Sequence, residues 1–242
     1  MIAVLKEYIK IRIDLIKLIG LTILMTILVL STGDAGEVWI YSMLFLASSF
    51  TVFRVFDDAF SVVTDRKEHP ERTYLIPQKF KSFKIITSVI LGAYLLSIKF
   101  LFSDAFLIIL LLLISSLVFY LLLRKQLIML KLIPSLKYPI LLYCTSMISS
   151  NEVELGILFS SFLLILGFDS FDIVKKQSNN IWKPMFFLFC CSILLFKPWL
   201  NYNNILFSIF PLFIIYLIRN KRGVQYFSIL YLPIMYFILT NL

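Results

Sequence analysis

Asp57, Asp58 and Asp65 stand at the end of an apolar segment, in the stretch Arg54-Val55-Phe56-Asp57-Asp58-Ala59-Phe60-Ser61-Val62-Val63-Thr64-Asp65. Asp58, Ser61 and Asp65 follow at intervals of three and four, which puts them on one face of a continuing helix, with Asp57 one step around. Oxygen ligands spaced in this way suit Mg²⁺, which takes one or two carboxylates, several waters and the phosphate oxygens of a substrate. Cations crowd the same region: Arg54, Arg66, Lys67, Arg72, Lys79 and Lys81. Acids to hold a metal beside bases to hold an anion are the electrostatic requirements of a bound diphosphate.

A sparer version follows in Gly167-Phe168-Asp169-Ser170-Phe171-Asp172-Ile173-Val174-Lys175-Lys176, where Asp169, Asp172 and Lys176 again share a helical face. Tyr120 precedes the cations Arg124 and Lys125 by one turn. Plainer roles exist for many of these groups. Lysines and arginines at helix ends anchor topology, Glu68 and Glu71 suit a solvated loop, His69 suits an exposed one, and Tyr120 could be an interfacial aromatic. Ionisable groups at membrane depth are costly, however, so the clustered aspartates point to function.

The elements that must position these groups are read from hydropathy. Hydrophobic residues make up 60% of the 242 positions and charged ones 15%, with a mean hydropathy of +0.94. The apolar residues come in runs of roughly 17 to 24, enough to cross a hydrocarbon core of about 30 Å as helices. Nine such segments are predicted, at 15–32, 38–56, 83–102, 105–123, 133–149, 153–174, 182–199, 204–218 and 224–240. The predicted class is an all-α polytopic membrane protein forming one transmembrane domain over 1–242. All but three of the 23 lysines and arginines fall at alternate connections or the amino-terminal end. That asymmetry predicts a cytoplasmic amino terminus and an outer carboxyl terminus. It also accounts for the net charge of +9 through topology and membrane lipids, so nucleic acid is not a predicted partner. Cys144, Cys190 and Cys191 lie inside apolar runs and read as packing residues. A single histidine offers little for a zinc or haem site.

The topology and motifs resemble the UbiA superfamily of intramembrane prenyltransferases, whose nine helices carry aspartate-rich motifs at the cytoplasmic ends of helices 2 and 6. The family's first motif, Asn/Asp-Asp/Glu-x-x-Asp-x-x-x-Asp followed by Pro-x-Arg, is similar to Asp57-Asp58-x-x-Ser61-x-x-x-Asp65 and Pro70-Glu71-Arg72. Ser61 stands where the family has an aspartate. Phe171-Asp172-Ile173-Val174-Lys175-Lys176 resembles the second motif of one bacterial branch, and Tyr120 with Arg124 resembles a Tyr-x-x-x-basic feature of the fourth helix.

The resemblance implies Mg²⁺ as cofactor, held by Asp57, Asp58, Ser61, Asp65, Asp169 and Asp172, with the five aspartates as the catalytic set. It implies a diphosphate site of Arg54, Arg72, Tyr120, Arg124, Lys125, Lys175 and Lys176. The implied partners are an isoprenyl diphosphate and a lipophilic acceptor, aromatic ones included, and the implied location is a bacterial inner membrane with the site on the cytoplasmic side. Some of the 24 phenylalanines and 12 tyrosines would face the allylic cation. Two alternatives are a terpene cyclase using the same ionisation and a non-catalytic lipid-binding member of the fold.

Overall fold

Local chemistry decides where the helices begin. In the computed structural model, which describes residues 2–30, 34–60, 72, 74, 76–122 and 127–174 (backbone alone for 127–134 and 167–174), the first helix is α1, Ile2–Arg12. The chain then breaks at Asp14, whose extended backbone and carboxylate, accepting from the Lys17 N–H at 3.3 Å, cap α2, Leu15–Ile27. Glu37 places a negative charge in the first turn of α3, Gly36–Phe60, where the helix dipole favours it. Pro77 opens α4, Pro77–Leu101, at a position that needs no backbone N–H. Phe102 alone separates α4 from α5, Ser103–Leu122, so these two helices form a tight antiparallel hairpin. α6, Leu127–Ser149, ends at Ser150, which adopts a positive φ of 57°, and α7 covers Leu155–Val174.

Among the described residues all regular structure is helical, and α3, α4 and α5 are long and apolar enough to cross a membrane. Their outward faces carry Leu44, Val89, Leu96, Phe100, Leu107 and Leu111, all exposed. Helices apolar on both the packed and the unpacked side are what lipid selects. The segments predicted at 182–199, 204–218 and 224–240 lie outside the described residues.

Several boundaries differ from hydropathy. α4 starts at Pro77 rather than 83, because a helix stem studded with Lys79, Lys81 and Lys84 reads as a loop to an average of apolarity. α3 runs to Phe60 rather than 56, so Asp57 and Asp58 lie within its last turn. α2 stops at Ile27, ahead of the predicted 32. α1 has no counterpart among the predicted segments.

α3 packs against α2, α4 and α6, while α6 also meets α5 and α7. The main core gathers Leu24, Met25, Phe45, Leu46, Phe53, Ile109, Leu141 and Leu164. A smaller cluster of Val4, Tyr8, Val55, Tyr74, Phe83 and Ile86 seats α1 against α3 and α4. Hydroxyl groups enter the core by bonding to their own helices: Thr26 donates to the Thr22 carbonyl at 2.8 Å, and Thr145 to that of Leu141 at 2.8 Å.

Ser49 gives its one proton to the Phe45 carbonyl at 2.6 Å, which makes the Tyr94 hydroxyl the donor in the 2.7 Å bond between them. That bond ties α3 to α4 across the core. Tyr94→Phe removes it while leaving the ring, and is expected to cost about 0.6 kcal/mol, the average for interhelical hydrogen bonds in membranes. Denaturant unfolding in mixed micelles measures this; no change at all would mean the bond contributes nothing.

Candidate functional site

The last turn of α3 carries Asp57 and Asp58 side by side, and a helix turns about 100° per residue, so the two carboxylates face different neighbours. Asp57 turns toward α5 and α6. It accepts a hydrogen bond from the Tyr120 hydroxyl at 2.9 Å and is ion-paired with the Lys137 ammonium. Asp58 turns toward α1. It accepts two bonds from the Arg12 guanidinium, at 2.7 Å from Nε and 2.5 Å from Nη2, and a third from the Tyr8 hydroxyl at 3.0 Å. Arg54, one turn back on α3 and half-exposed, brings its Nε to 3.9 Å from Asp58.

These are interior ion pairs. Asp58 is 2% exposed and Lys137 6%. Charges so buried stay ionised only when each is paired and hydrogen-bonded. Tyr8, fully buried, has its phenol pushed above the ordinary range, first by burial and then by the Asp58 charge, so it remains a proton donor to that carboxylate. Burial works against the charge on Arg12, but the hydrogen bonds to Asp58, the charge of that carboxylate and Tyr74 together more than offset it and hold its pKa above the usual guanidinium value.

Aromatic rings enclose the pairs. Phe56 and Phe60 lie 4.7 Å apart by ring centroids, each with its centroid 6.3 Å from that of Tyr120. The Lys137 ammonium is 5.8 Å from the Phe53 centroid and 5.6 Å from that of Tyr138, within cation–π range. On the α1 side, Tyr8 packs edge-on to Tyr74 at 5.1 Å and against Phe83 at 5.1 Å. Glu7 accepts from Lys79 at 2.7 Å, tying the middle of α1 to the start of α4.

Of the residues singled out from sequence, Asp57, Asp58, Arg54 and Tyr120 come together at this end of the bundle. Arg72 is buried. Asp169 and Asp172 lie in the closing turns of α7. At the opposite end, the Asn151 side-chain amide donates to Asp34 at 3.0 Å and to the Val29 carbonyl at 3.4 Å, so the α6–α7 and α2–α3 connections adjoin. α7 therefore begins at the same end of the bundle as α3 and packs against α6. Ser61, Asp65, Arg124, Lys125, Lys175 and Lys176 lie outside the described residues.

Sequence patterns assign no site role to three groups of the cluster, Tyr8, Arg12 and Lys137. Arg12 and Lys137 count there among the topology-setting bases. A signal for the first two is present, since Val4, Tyr8 and Arg12 recur every four residues and so line one helical face. Nothing local marks Lys137, whose partner is 80 residues away in sequence.

No protein-family model, curated protein or solved structure matches the chain.

Proposed function

We propose that the chain is an intramembrane prenyltransferase of the UbiA kind, binding an isoprenyl diphosphate at the Asp57–Asp58 end of α3 and passing the prenyl group to a lipophilic acceptor. The observation that carries this reading is the convergence of two carboxylates, Asp58 buried and Asp57 partly so, with Tyr120 and three cations beside a cluster of aromatic rings, at the end of an apolar helix. The distribution of basic residues supports the rest: a nine-helix bundle with this end on the cytoplasmic side of a bacterial inner membrane.

Mg²⁺ is the proposed cofactor. Asp57 and Asp58 are hard oxygen donors of the kind it takes, in a number that suffices when a substrate phosphate and waters complete the shell. No group of three or more His, Cys, Asp or Glu gathers among the described residues. Ser61, Asp65, Asp169 and Asp172 make up the remainder of the proposed set. Bound there, the ion would supply Lewis-acid neutralisation of the leaving diphosphate.

The chain's own groups would do the rest. Arg72, Arg124, Lys125, Lys175 and Lys176 would neutralise the remaining phosphate charge, with Tyr120 as a neutral donor and Arg54 beside Asp58 at the edge of the site. The allylic C–O bond breaks with its electron pair going to the diphosphate. The allylic cation, shielded from water and faced by rings such as Phe56 and Phe60, forms a bond to a nucleophilic acceptor, which then loses a proton.

A second reading, a lipid-binding protein without turnover, is favoured by one observation: chain cations already neutralise both carboxylates. Purified protein in nanodiscs, given isoprenyl diphosphates of several lengths with Mg²⁺ or with EDTA, separates the two. Mg²⁺-dependent release of inorganic diphosphate is the expected result. An acceptor adduct in the lipid products marks transfer, and a cyclised hydrocarbon marks the cyclase variant. No release at any chain length, with a membrane extract supplying acceptors, would overturn the enzymatic reading in favour of the second.

A further inference from the structure

Asp58 holds more positive charge than it needs. Arg12 reaches it with a two-pronged contact at 2.5 and 2.7 Å, and Arg54 stands at 3.9 Å on the same helix. Among the described residues the cluster has three cations, Arg12, Arg54 and Lys137, against two carboxylates. If Arg12 left, Arg54 would remain as counter-ion. Asp57 has no such reserve, because Lys137 is its one close cation among the described residues and is embedded in α6.

Arg12 is also the cation best placed to leave. It is the last residue of α1, a helix outside the bundle of longer ones, followed by the break at Asp14. The seat of α1 has other fastenings: Tyr8 is packed among Tyr74 and Phe83, and Glu7 is held by Lys79. A guanidinium fork that grips a carboxylate with two parallel bonds has the geometry to grip a phosphate in the same way.

We propose that Arg12 is a phosphate-binding residue of this site: Asp58 holds its guanidinium in place, and a diphosphate entering at the end of α3 takes it over while Arg54 stays with Asp58. The exchange conserves charge, trading one anion for another on the same cation. It makes α1 part of the substrate site and extends the diphosphate set to a residue far from either aspartate motif. The inference rests on the reading of the site as one for an isoprenyl diphosphate.

An exchange predicts a sign that a fastening role does not. Without a divalent cation, Asp58 and the ligand compete for Arg12. Binding of farnesyl diphosphate and of inorganic diphosphate to nanodisc protein in EDTA should then tighten about tenfold in Asp58→Asn, and that gain should vanish in the Arg12→Gln/Asp58→Asn double variant. With Mg²⁺ present, Arg12→Gln should weaken farnesyl diphosphate binding about ten- to a hundredfold, the range for a charge-assisted contact. Arg12→Lys, which keeps the charge but not the fork, should fall between. Glu7→Gln, which loosens the other tether of α1, should stay within threefold of the parent.

Equal losses in Arg12→Gln and Glu7→Gln would mean that Arg12 only fastens α1 and would overturn the proposal, as would a gain in Asp58→Asn that persists without Arg12. If Arg12→Gln does not fold, Arg12→Lys decides, and parent-like affinity there would overturn it. Binding of farnesyl diphosphate by the parent but unchanged affinity in Arg12→Gln sinks this inference alone. Absence of binding by the parent, with or without Mg²⁺, sinks it together with the reading beneath it.

Discussion

Lys137→Met is expected to destabilise the protein by about 3–5 kcal/mol, the cost of leaving one half of a buried ion pair without its partner. Among the described residues Asp57, only partly exposed, would keep just the Tyr120 hydroxyl, a neutral donor, against a full negative charge. The loss should be repaired by a second change. In Lys137→Met/Asp57→Asn no charge is stranded, the side-chain amide introduced on α3 can still accept from Tyr120, and the methionine packs where the lysine stem lay against Phe53 and Tyr138. Most of the stability should return, since exchanging a buried pair for groups of similar volume is often neutral. Denaturant midpoints of the two single variants and the double variant in mixed micelles provide the test. A double variant as unstable as Lys137→Met would show that the ammonium contributes something other than charge compensation.

Asp58→Asn should act in opposite directions on binding and on turnover. Under the proposed prenyl transfer, losing this carboxylate removes a ligand for the ion that neutralises the leaving diphosphate, and the rate of diphosphate release should fall about 10²- to 10³-fold, the scale seen when one electrostatic stabiliser of a transition state is deleted. Binding of diphosphate in EDTA should meanwhile tighten, because Arg12 is released. A stabiliser of the ground state alone could not produce that split. The measurement is single-turnover diphosphate release beside equilibrium binding on the same preparation. Activity within a few-fold of the parent would show that Asp58 is not part of the reacting site, whatever α1 does.

Much of the bundle was legible in the sequence, because lipid imposes a simple rule: a helix with its backbone polar groups satisfied internally and about 20 apolar residues is stable at membrane depth wherever it occurs. Runs of Leu, Ile and Phe therefore indicated α3, α4, α5 and α7 without reference to neighbours. The same rule hid α1, which is short and carries Lys6, Glu7, Lys10 and Arg12 among its apolar residues. It also hid the first turns of α4, where Pro77 and packing of Phe80 and Phe83, rather than apolarity, set the start.

For the site, the sequence by itself determined which acids are exceptional. Asp57 and Asp58 are two carboxylates at the end of an apolar helix, and their cost there is independent of the fold. It determined, too, that cations stand near them in number. Which cation answers which acid was decided only by the tertiary structure. Arg12 and Asp58 are 46 residues apart and Lys137 and Asp57 80 apart, so no local spacing relates them. The roughly 100° between neighbouring residues on a helix sends Asp57 to one packed helix and Asp58 to another. The physical reason is that a cost of burial can be read from one residue and its surroundings in the chain, whereas a compensating charge has to be brought there by packing.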